Sequence, residues 1–142
     1  MTPDLAAIVA LFPDAELDVS GFDLRVRVPK ESYRAIVAAC AVAGCRLSDV
    51  TAVDHMASFE IVVQMLASAT HQFSVHCMVH EDDPRIDTLV PVFPSAEYAE
   101  REVFDMFGVD FLGHPDPSRV LLPDHFLGHP LRKEFGLEVA PW

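Results

Sequence analysis

Two Gly-His-Pro triplets are the most suggestive chemical feature of this 142-residue sequence. They are centred on His114 and His129, fifteen residues apart, and each follows a leucine. Two imidazoles can supply two ligands of a zinc site. No third ligand stands in view, so a structural interpretation is favoured over a zinc site. In that interpretation glycine and proline fix a turn, and the imidazole bonds backbone carbonyls within it.

A second cluster of charged residues lies just upstream and comprises Glu100, Arg101, Glu102 and Asp105. Several carboxylates on one helix are what general acid–base catalysis needs. However, Glu97, Arg101 and Asp105 are each four residues apart, so the arginine can pair with an acid on either side. No nucleophile stands nearby in the sequence. The spacing therefore favours a solvated or partner-facing helix face over a catalytic site.

The other histidines and the three cysteines give weaker signals. His76 and His80 share one face of an alternating stretch, where strand geometry separates them by about 13 Å. His55 has no acidic partner at an informative spacing. On a helix, Cys40 and Cys45 would point about 140° apart, which favours buried, unreactive thiols over a redox or metal site. The sequence contains no nucleotide-binding loop, serine-hydrolase motif or zinc-protease motif.

The elements that must position these residues alternate between helix and strand. Apolar residues at helical spacing predict helices over residues 4–11 and 33–43, the second closed by Gly44. Alternating and β-branched stretches predict five strands, of which the first two form a hairpin: residues 16–19, 22–28, 47–56, 59–66 and 72–79. Residues 87–93 fit either a short helix or a strand. We expect an α+β domain in which a mainly antiparallel sheet packs with two or three helices.

The region from Ser95 onward divides into a helix and a segment without regular structure. Ser95 is a suitable N-cap for a helix that ends at Met106 or Phe107, with Gly108 at its C-terminal cap. Five prolines and three glycines between residues 112 and 142 exclude a further helix. The same stretch holds many large apolar side chains, too many for a solvated tail. We expect a domain of residues 1–110 and an extended, proline-rich docking segment of residues 111–142, lying on another subunit in preference to its own domain.

Charge and composition exclude several functional classes. Hydrophobic residues make up 51% of the chain, and 22 acidic against 10 basic residues give a net charge of −12. Such a chain is unsuited to sequence-independent binding of nucleic acid or to an anionic membrane surface. Of these residues, 18 acidic and 7 basic ones lie within residues 1–112, so the final thirty are nearly neutral. No secretory signal or membrane-spanning stretch is visible, which predicts a cytoplasmic protein.

Two longer motifs stand out: the Glu-Arg-Glu-x-x-Asp-x-Phe-Gly stretch of residues 100–108 and the Gly-His-Pro-Leu-Arg-Lys stretch of residues 128–133. Together they resemble the signature of the thirty-kilodalton subunit of respiratory complex I, which in bacteria is the C subunit of NADH–quinone oxidoreductase. The resemblance implies a cofactor-free structural subunit of the peripheral arm on the cytoplasmic side of the membrane. It implies packing against a forty-nine-kilodalton-type subunit near the quinone module, with FMN and iron–sulfur clusters in partner subunits.

The resemblance also implies which residues anchor the helix, position the segment or contact a partner: Glu100, Arg101, Glu102, Asp105, His114, Arg119, His129, Arg132, Lys133 and Phe135. Related subunits occur in membrane-bound nickel–iron hydrogenases and formate hydrogenlyases, which makes the equivalent subunit of such a complex the alternative. A histidine-dependent zinc hydrolase is the distant alternative from the residues alone.

Overall fold

A computed structural model describes residues 4–20, 23–123 and 128–132. Three helices and seven strands occur within these residues, in the following order: α1 (Leu5–Ala10), β1 (Glu16–Ser20), β2 (Asp23–Val28), α2 (Lys30–Val42), β3 (Arg46–Asp54), β4 (Ser58–Leu66), β5 (Gln72–His80), β6 (Arg85–Asp87), α3 (Ala96–Phe107) and β7 (Asp110–Leu112). The expected α+β class is confirmed, and each of the five predicted strands lies within two residues of its observed bounds.

The main sheet is mixed, with the strand order β1-β2-β5-β4-β3. The β1–β2, β3–β4 and β4–β5 pairs are antiparallel, as the sequence predicts. The β2–β5 pair is parallel, with Val26 opposite Val75. The parallel pair arises because α2, β3 and β4 lie between these two strands in the chain and carry it back to the same end of the sheet.

Alternation along the strands creates one apolar sheet face. Ile61 and Val63 of β4 and Val75 of β5 are fully buried on that face. Helix α2 packs against β5 and α3 against β3, and Phe107 of α3 meets Phe59 of β4 edge to face at 6.2 Å. Removing this apolar surface from water is the main stabilisation of the domain.

A second, two-stranded sheet joins the main domain to the C-terminal part of the chain. β6 and β7 pair in parallel, with Ile86 opposite Phe111. The ambiguous residues 87–93 are neither one helix nor one strand. β6 ends at Asp87, and a turn comes next in which the N–H groups of Val92 and Phe93 donate to Leu89 O. Since β7 runs from Asp110 to Leu112, it lies across the expected boundary at residue 110.

The end of α2 corrects the expected separation of two cysteines. Helix α2 stops at Val42, and Gly44 follows with φ 98°. Cys45 therefore lies beyond the helix, and the 140° separation that a continuous helix would impose on Cys40 and Cys45 does not apply.

Among the described residues, no helix combines the length and apolarity needed to cross a lipid bilayer.

Candidate functional site

Helix α3 carries the charged cluster and organises the residues around it. It ends at Phe107, and Gly108 forms its C-terminal cap as predicted, in the left-handed conformation with φ 80°. Ser95 precedes the helix as expected, but its side chain makes no capping hydrogen bond. The buried residues of α3 include Glu100 and Asp105, both with 0% exposure. The expectation that these carboxylates lie on a solvated or partner-facing surface is therefore wrong.

Glu100 fixes the turn that follows β6. Thr88 Oγ1 donates to one carboxylate oxygen, and the Leu89 N–H donates to the other at 2.8 Å. Burial raises the pKa of Glu100 above its ordinary value, although Thr88, Leu89 and His114 act in the opposite direction. These two bonds tie the end of the small sheet to α3. The sequence contained no periodic signal that would identify Thr88 as the partner of Glu100.

Asp105 fixes a stretch of backbone downstream of β7. Its Oδ2 accepts three consecutive N–H groups, from Val120 at 3.1 Å, Leu121 at 2.8 Å and Leu122 at 3.0 Å. Its Oδ1 accepts from Arg119 Nη1 at 2.7 Å. Burial alone would raise the pKa of Asp105, but Arg119 and the three N–H groups outweigh it and hold the pKa below its ordinary value. The ionised carboxylate is therefore the form that holds this backbone.

Arg101 pairs with neither Glu97 nor Asp105, contrary to the expectation from helical spacing. Its guanidinium donates to Ser118 O at 3.2 Å, to Ser118 Oγ at 3.0 Å and to Arg119 O at 3.1 Å. The reason is that Asp105 turns inward and is already occupied by Arg119 and backbone N–H groups. Arg101 and Asp105 therefore hold neighbouring parts of the same downstream stretch.

The two Gly-His-Pro triplets use their imidazoles in the same way. His114 Nε2 donates to Glu97 O at 3.0 Å, while Nδ1 accepts the Asp116 N–H at 3.0 Å. His129 Nδ1 donates to Asp105 O at 3.0 Å. Burial lowers the pKa of His129, against the effect of its bond to the Asp105 carbonyl. Both rings therefore bind the backbone of α3, which favours the structural interpretation of the triplets.

Residues 128–132 close over the C-terminal end of α3. The Leu131 N–H donates to Met106 O at 3.0 Å. Arg132 Nε donates to Phe107 O, and its guanidinium lies 5.2 Å from the centroid of the Phe59 ring. A Cβ added at Gly108 would lie 2.7 Å from Arg132 Nη2. The absence of a side chain at Gly108 thus permits this close approach.

We call residues 113–123 and 128–132 the anchored segment. It contains no helix or strand, and Arg119 joins its two parts through a bond from Nη2 to Gly128 O at 2.9 Å. These described parts lie against their own domain, whereas the sequence favoured another subunit as the supporting surface. Docking of the segment on a partner remains a prediction.

Seven of the ten residues expected at the site converge on this contact between α3 and the anchored segment: Glu100, Arg101, Asp105, His114, Arg119, His129 and Arg132. Glu102 lies apart from them, beside an apolar groove of about 460 Å³ lined in part by Val50, Leu121 and Leu131. Lys133 and Phe135 fall outside the described residues.

A separate polar cluster lies on the other face of the main sheet, and sequence reasoning missed it. Glu60 Oε1 lies 3.1 Å from His55 Nε2, and Oε2 lies 2.9 Å from His76 Nδ1. Burial would raise the pKa of Glu60, but the two imidazoles outweigh it and lower the pKa. His55 thus has an acidic partner five residues away, because the turn between β3 and β4 brings them together.

None of these clusters assembles a metal centre. In the part of the chain that the structure describes, no group of three or more His, Cys, Asp or Glu side chains is arranged to hold a metal ion. At the two triplets, the bonds of the imidazoles to backbone groups account for their placement.

Comparison with known proteins decides the family. The family model described as "Respiratory-chain NADH dehydrogenase, 30 Kd subunit" matches residues 26–140. This chain belongs to that family. The C subunit of NADH-quinone oxidoreductase from Herpetosiphon aurantiacus is 35% identical over 94% of this chain and 84% of its own length. The C subunit from Roseiflexus castenholzii is 38% identical, over 96% and 86%. Subunit 5 of the Thermus thermophilus enzyme is 32% identical, over 84% and 64%.

Two solved structures share the fold. The trypsin-resistant fragment of Nqo5 superposes with a TM-score of 0.69 and 28% identity, over 79% of this chain and 95% of the fragment. A chain of the membrane-bound sulfane sulfur reductase, described as an archaeal respiratory membrane complex, superposes with a TM-score of 0.83 and 26% identity, over 94% and 84%. The resemblance noted in the sequence is thereby confirmed, and the chain is related to subunits of NADH–quinone oxidoreductase.

Proposed function

We propose that this chain is a cofactor-free structural subunit of the peripheral arm of an NADH–quinone oxidoreductase, packed against a forty-nine-kilodalton-type subunit near the quinone module. One observation carries the proposal. Arg101 and Asp105 of the first signature motif, and His129 and Arg132 of the second, are used inside the chain, where they hold the anchored segment against α3. In this proposal FMN and iron–sulfur clusters belong to partner subunits, and the chain reaches the cytoplasmic side of the membrane only through them.

The anchored segment supports this role by presenting apolar side chains from a fixed backbone. Leu121 and Leu131 are 50% and 56% exposed, although the backbone N–H of each is bonded to α3. Burying the exposed half of such a side chain would stabilise an interface by about 1 kcal/mol. Fixing the backbone beforehand reduces the entropy lost on binding. In the proposal the segment is therefore a preformed docking surface, and Lys133 and Phe135 contact the partner as well.

Purification with an affinity tag from membranes of the native organism tests the proposal. We expect the forty-nine-kilodalton-type subunit to co-purify in equimolar amount. The double variant Leu121→Asp/Leu131→Asp should lower its recovery at least about tenfold, because two charges would be buried in the interface. The variant chain alone should keep a melting temperature close to that of the wild type.

Val42→Asp is the matched control, because Val42 is an apolar residue on α2 with 91% exposure. It should leave recovery of the partner unchanged. The proposal is wrong if no forty-nine-kilodalton-type subunit is recovered, or if both variants lower its recovery equally. Stoichiometric flavin, iron or zinc in the purified single chain would contradict the cofactor-free role.

A second candidate is the equivalent subunit of another complex I-like enzyme, such as a membrane-bound nickel–iron hydrogenase or formate hydrogenlyase. The observation in its favour is the TM-score of 0.83 with a chain of the sulfane sulfur reductase, over 94% of this chain. The same purification separates the candidates. An NADH-binding flavoprotein among the recovered subunits supports the first, and a hydrogenase catalytic subunit supports the second.

A further inference from the structure

The end of α2 places two cysteines at positions whose side chains meet. The Cys45 N–H donates to Cys40 O at 3.0 Å, and the Gly44 N–H donates to Ala41 O at 3.0 Å. With Gly44 at φ 98°, these two bonds constitute a Schellman motif. In this motif the residues joined by the outer bond commonly bring their side chains into contact. Here those residues are Cys40 and Cys45.

The two thiols are buried and influence each other. Cys40 is 0% exposed and Cys45 is 4% exposed. Burial, together with a smaller effect of the Cys45 thiol, raises the pKa of Cys40 to about 12. Burial also raises the pKa of Cys45, while its hydrogen bond with Cys40 acts in the opposite direction. The third cysteine, Cys77, does not share this pairing: its thiol donates to Met78 O at 3.8 Å.

We propose that Cys40 and Cys45 form a reversible dithiol–disulfide pair that ties the end of α2 to the start of β3. The oxidant is a low-molecular-weight disulfide such as glutathione disulfide. The two cysteine S–H bonds and the S–S bond of the oxidant break, and the S–S bond between Cys40 and Cys45 forms. Each sulfur of the oxidant takes up one proton, so two glutathione thiols are released.

The fold contributes to this reaction in two opposing ways. The Schellman motif holds the two sulfurs together before oxidation, which favours an intramolecular bond over a mixed disulfide. The thiolate is the attacking species, so the raised pKa values slow the exchange near neutral pH. The pair is therefore expected to stay reduced in a reducing cytoplasm and to close under sustained oxidation.

The disulfide can be measured at equilibrium in the full-length chain. The chain is incubated in mixtures of reduced and oxidised glutathione, in native buffer and in concentrated urea, and the remaining thiols are labelled with a maleimide. Trypsin cleaves after Arg34, Arg46 and Arg85, so peptide 35–46 carries both Cys40 and Cys45 while peptide 47–85 carries Cys77. Mass spectrometry of peptide 35–46 then gives the disulfide fraction.

We expect peptide 35–46 to lose two hydrogen atoms and take up no label. Its equilibrium constant for closure should be at least about tenfold larger in native buffer than in urea, because only the folded chain holds the thiols together. In Cys45→Ser, peptide 35–46 should show no loss of two hydrogen atoms in either solvent. Cys77→Ser should leave closure unchanged.

An equilibrium constant that is equal in the two solvents, or smaller in native buffer, would overturn the proposal. A bond between Cys40 and Cys77 would do so as well. The wild-type comparison is decisive even if Cys45→Ser fails to fold, since it needs no variant. Neither outcome depends on the partners of the chain.

Discussion

The main sheet and the anchored segment are stabilised by different forces. The sheet buries apolar residues such as Ile61 and Val63, and the hydrophobic effect that stabilises them is non-directional. The anchored segment is held by directed bonds between buried charged side chains and backbone groups, above all those of Asp105. An apolar core tolerates substitutions that conserve volume, whereas a directed network depends on which atom donates and which accepts. Substitutions that change only hydrogen bonding therefore distinguish the two regions.

Asp105→Asn should give the largest effect, because it changes one atom and leaves the size of the side chain unaltered. The amide oxygen can accept the N–H groups of residues 120–122, but the amide nitrogen then faces the Arg119 donor. We expect the free energy of unfolding to fall by about 2–4 kcal/mol. Urea denaturation measures the loss. Asp110→Asn, at an exposed aspartate of β7, should change it by less than about 0.5 kcal/mol.

The pH dependence should follow from the same pKa shift. The folded-state pKa of Asp105 is depressed, so its contribution is present above the unfolded-state value of about 3.9 and is lost as pH falls through the folded-state value. The difference between wild type and Asp105→Asn should therefore shrink in acid. Equal losses in Asp105→Asn and Asp110→Asn would remove the distinction between the two regions.

Gly108→Ala should give a smaller effect that is concentrated in the anchored segment. A methyl group there requires the left-handed conformation and also meets Arg132 Nη2 and His129 Cδ2, both at 2.7 Å. Gly44→Ala is a matched control, since Gly44 has φ 98° but nothing lies within 4 Å of an added Cβ. Backbone strain should cost each variant about 1 kcal/mol, and the collision should cost Gly108→Ala about 1 kcal/mol more.

Hydrogen exchange locates the difference between these two glycine variants. The amides of residues 129–132 should exchange faster in Gly108→Ala. The exchange rates of the β4 and β5 amides should change only as much as the global free energy of unfolding changes. If Gly44→Ala increases exchange in residues 129–132 to the same extent, close packing at Gly108 is not what holds the segment.

Glu100→Gln should give the smallest effect, although Glu100 is as deeply buried as Asp105. A glutamine can accept the Leu89 N–H and donate to Thr88 Oγ1, so both partners stay bonded. We expect a loss below about 1 kcal/mol near neutral pH. The two buried acids of α3 should thus respond differently to the same loss of charge.

The sign of the pH effect is also opposite to that of Asp105. The folded-state pKa of Glu100 is raised, so its contribution is fully present below the unfolded-state value of about 4.3 and is lost as pH rises through the folded-state value. Glutamine cannot ionise. The stability of Glu100→Gln relative to wild type should therefore improve between mildly acidic and neutral pH, as measured by urea denaturation at several pH values. A difference that is constant with pH would contradict the raised pKa.

The spacing of apolar residues predicted the helices and the main strands well, because that signal is local in the sequence. The five strands of the main sheet and the helix that ends at Phe107 were placed within a few residues. The direction of the charged side chains was not predictable in the same way. Spacing along α3 fits a pairing of Arg101 with Asp105 as well as it fits the observed bonds, and the actual partners lie 14 to 18 residues downstream.

The family resemblance pointed to Glu100 and Asp105 but not to the groups that they bind. Thr88, the partner of Glu100, belongs to no motif. Long-range acceptors for backbone N–H groups leave no periodic trace in a sequence. The expectations for Lys133 and Phe135 remain predictions.

The anchors of the segment bind mostly main chain. Asp105 accepts the N–H groups of three successive residues, and Arg101 and Arg132 donate to backbone carbonyls. Such bonds fix the path of the chain while placing few demands on the side chains along it. The exposed side chains of Leu121 and Leu131 can therefore be replaced, by any residue that keeps the backbone N–H, at little cost to the fold. One framework can in this way be adapted to different neighbours by mutation of outward-facing residues alone.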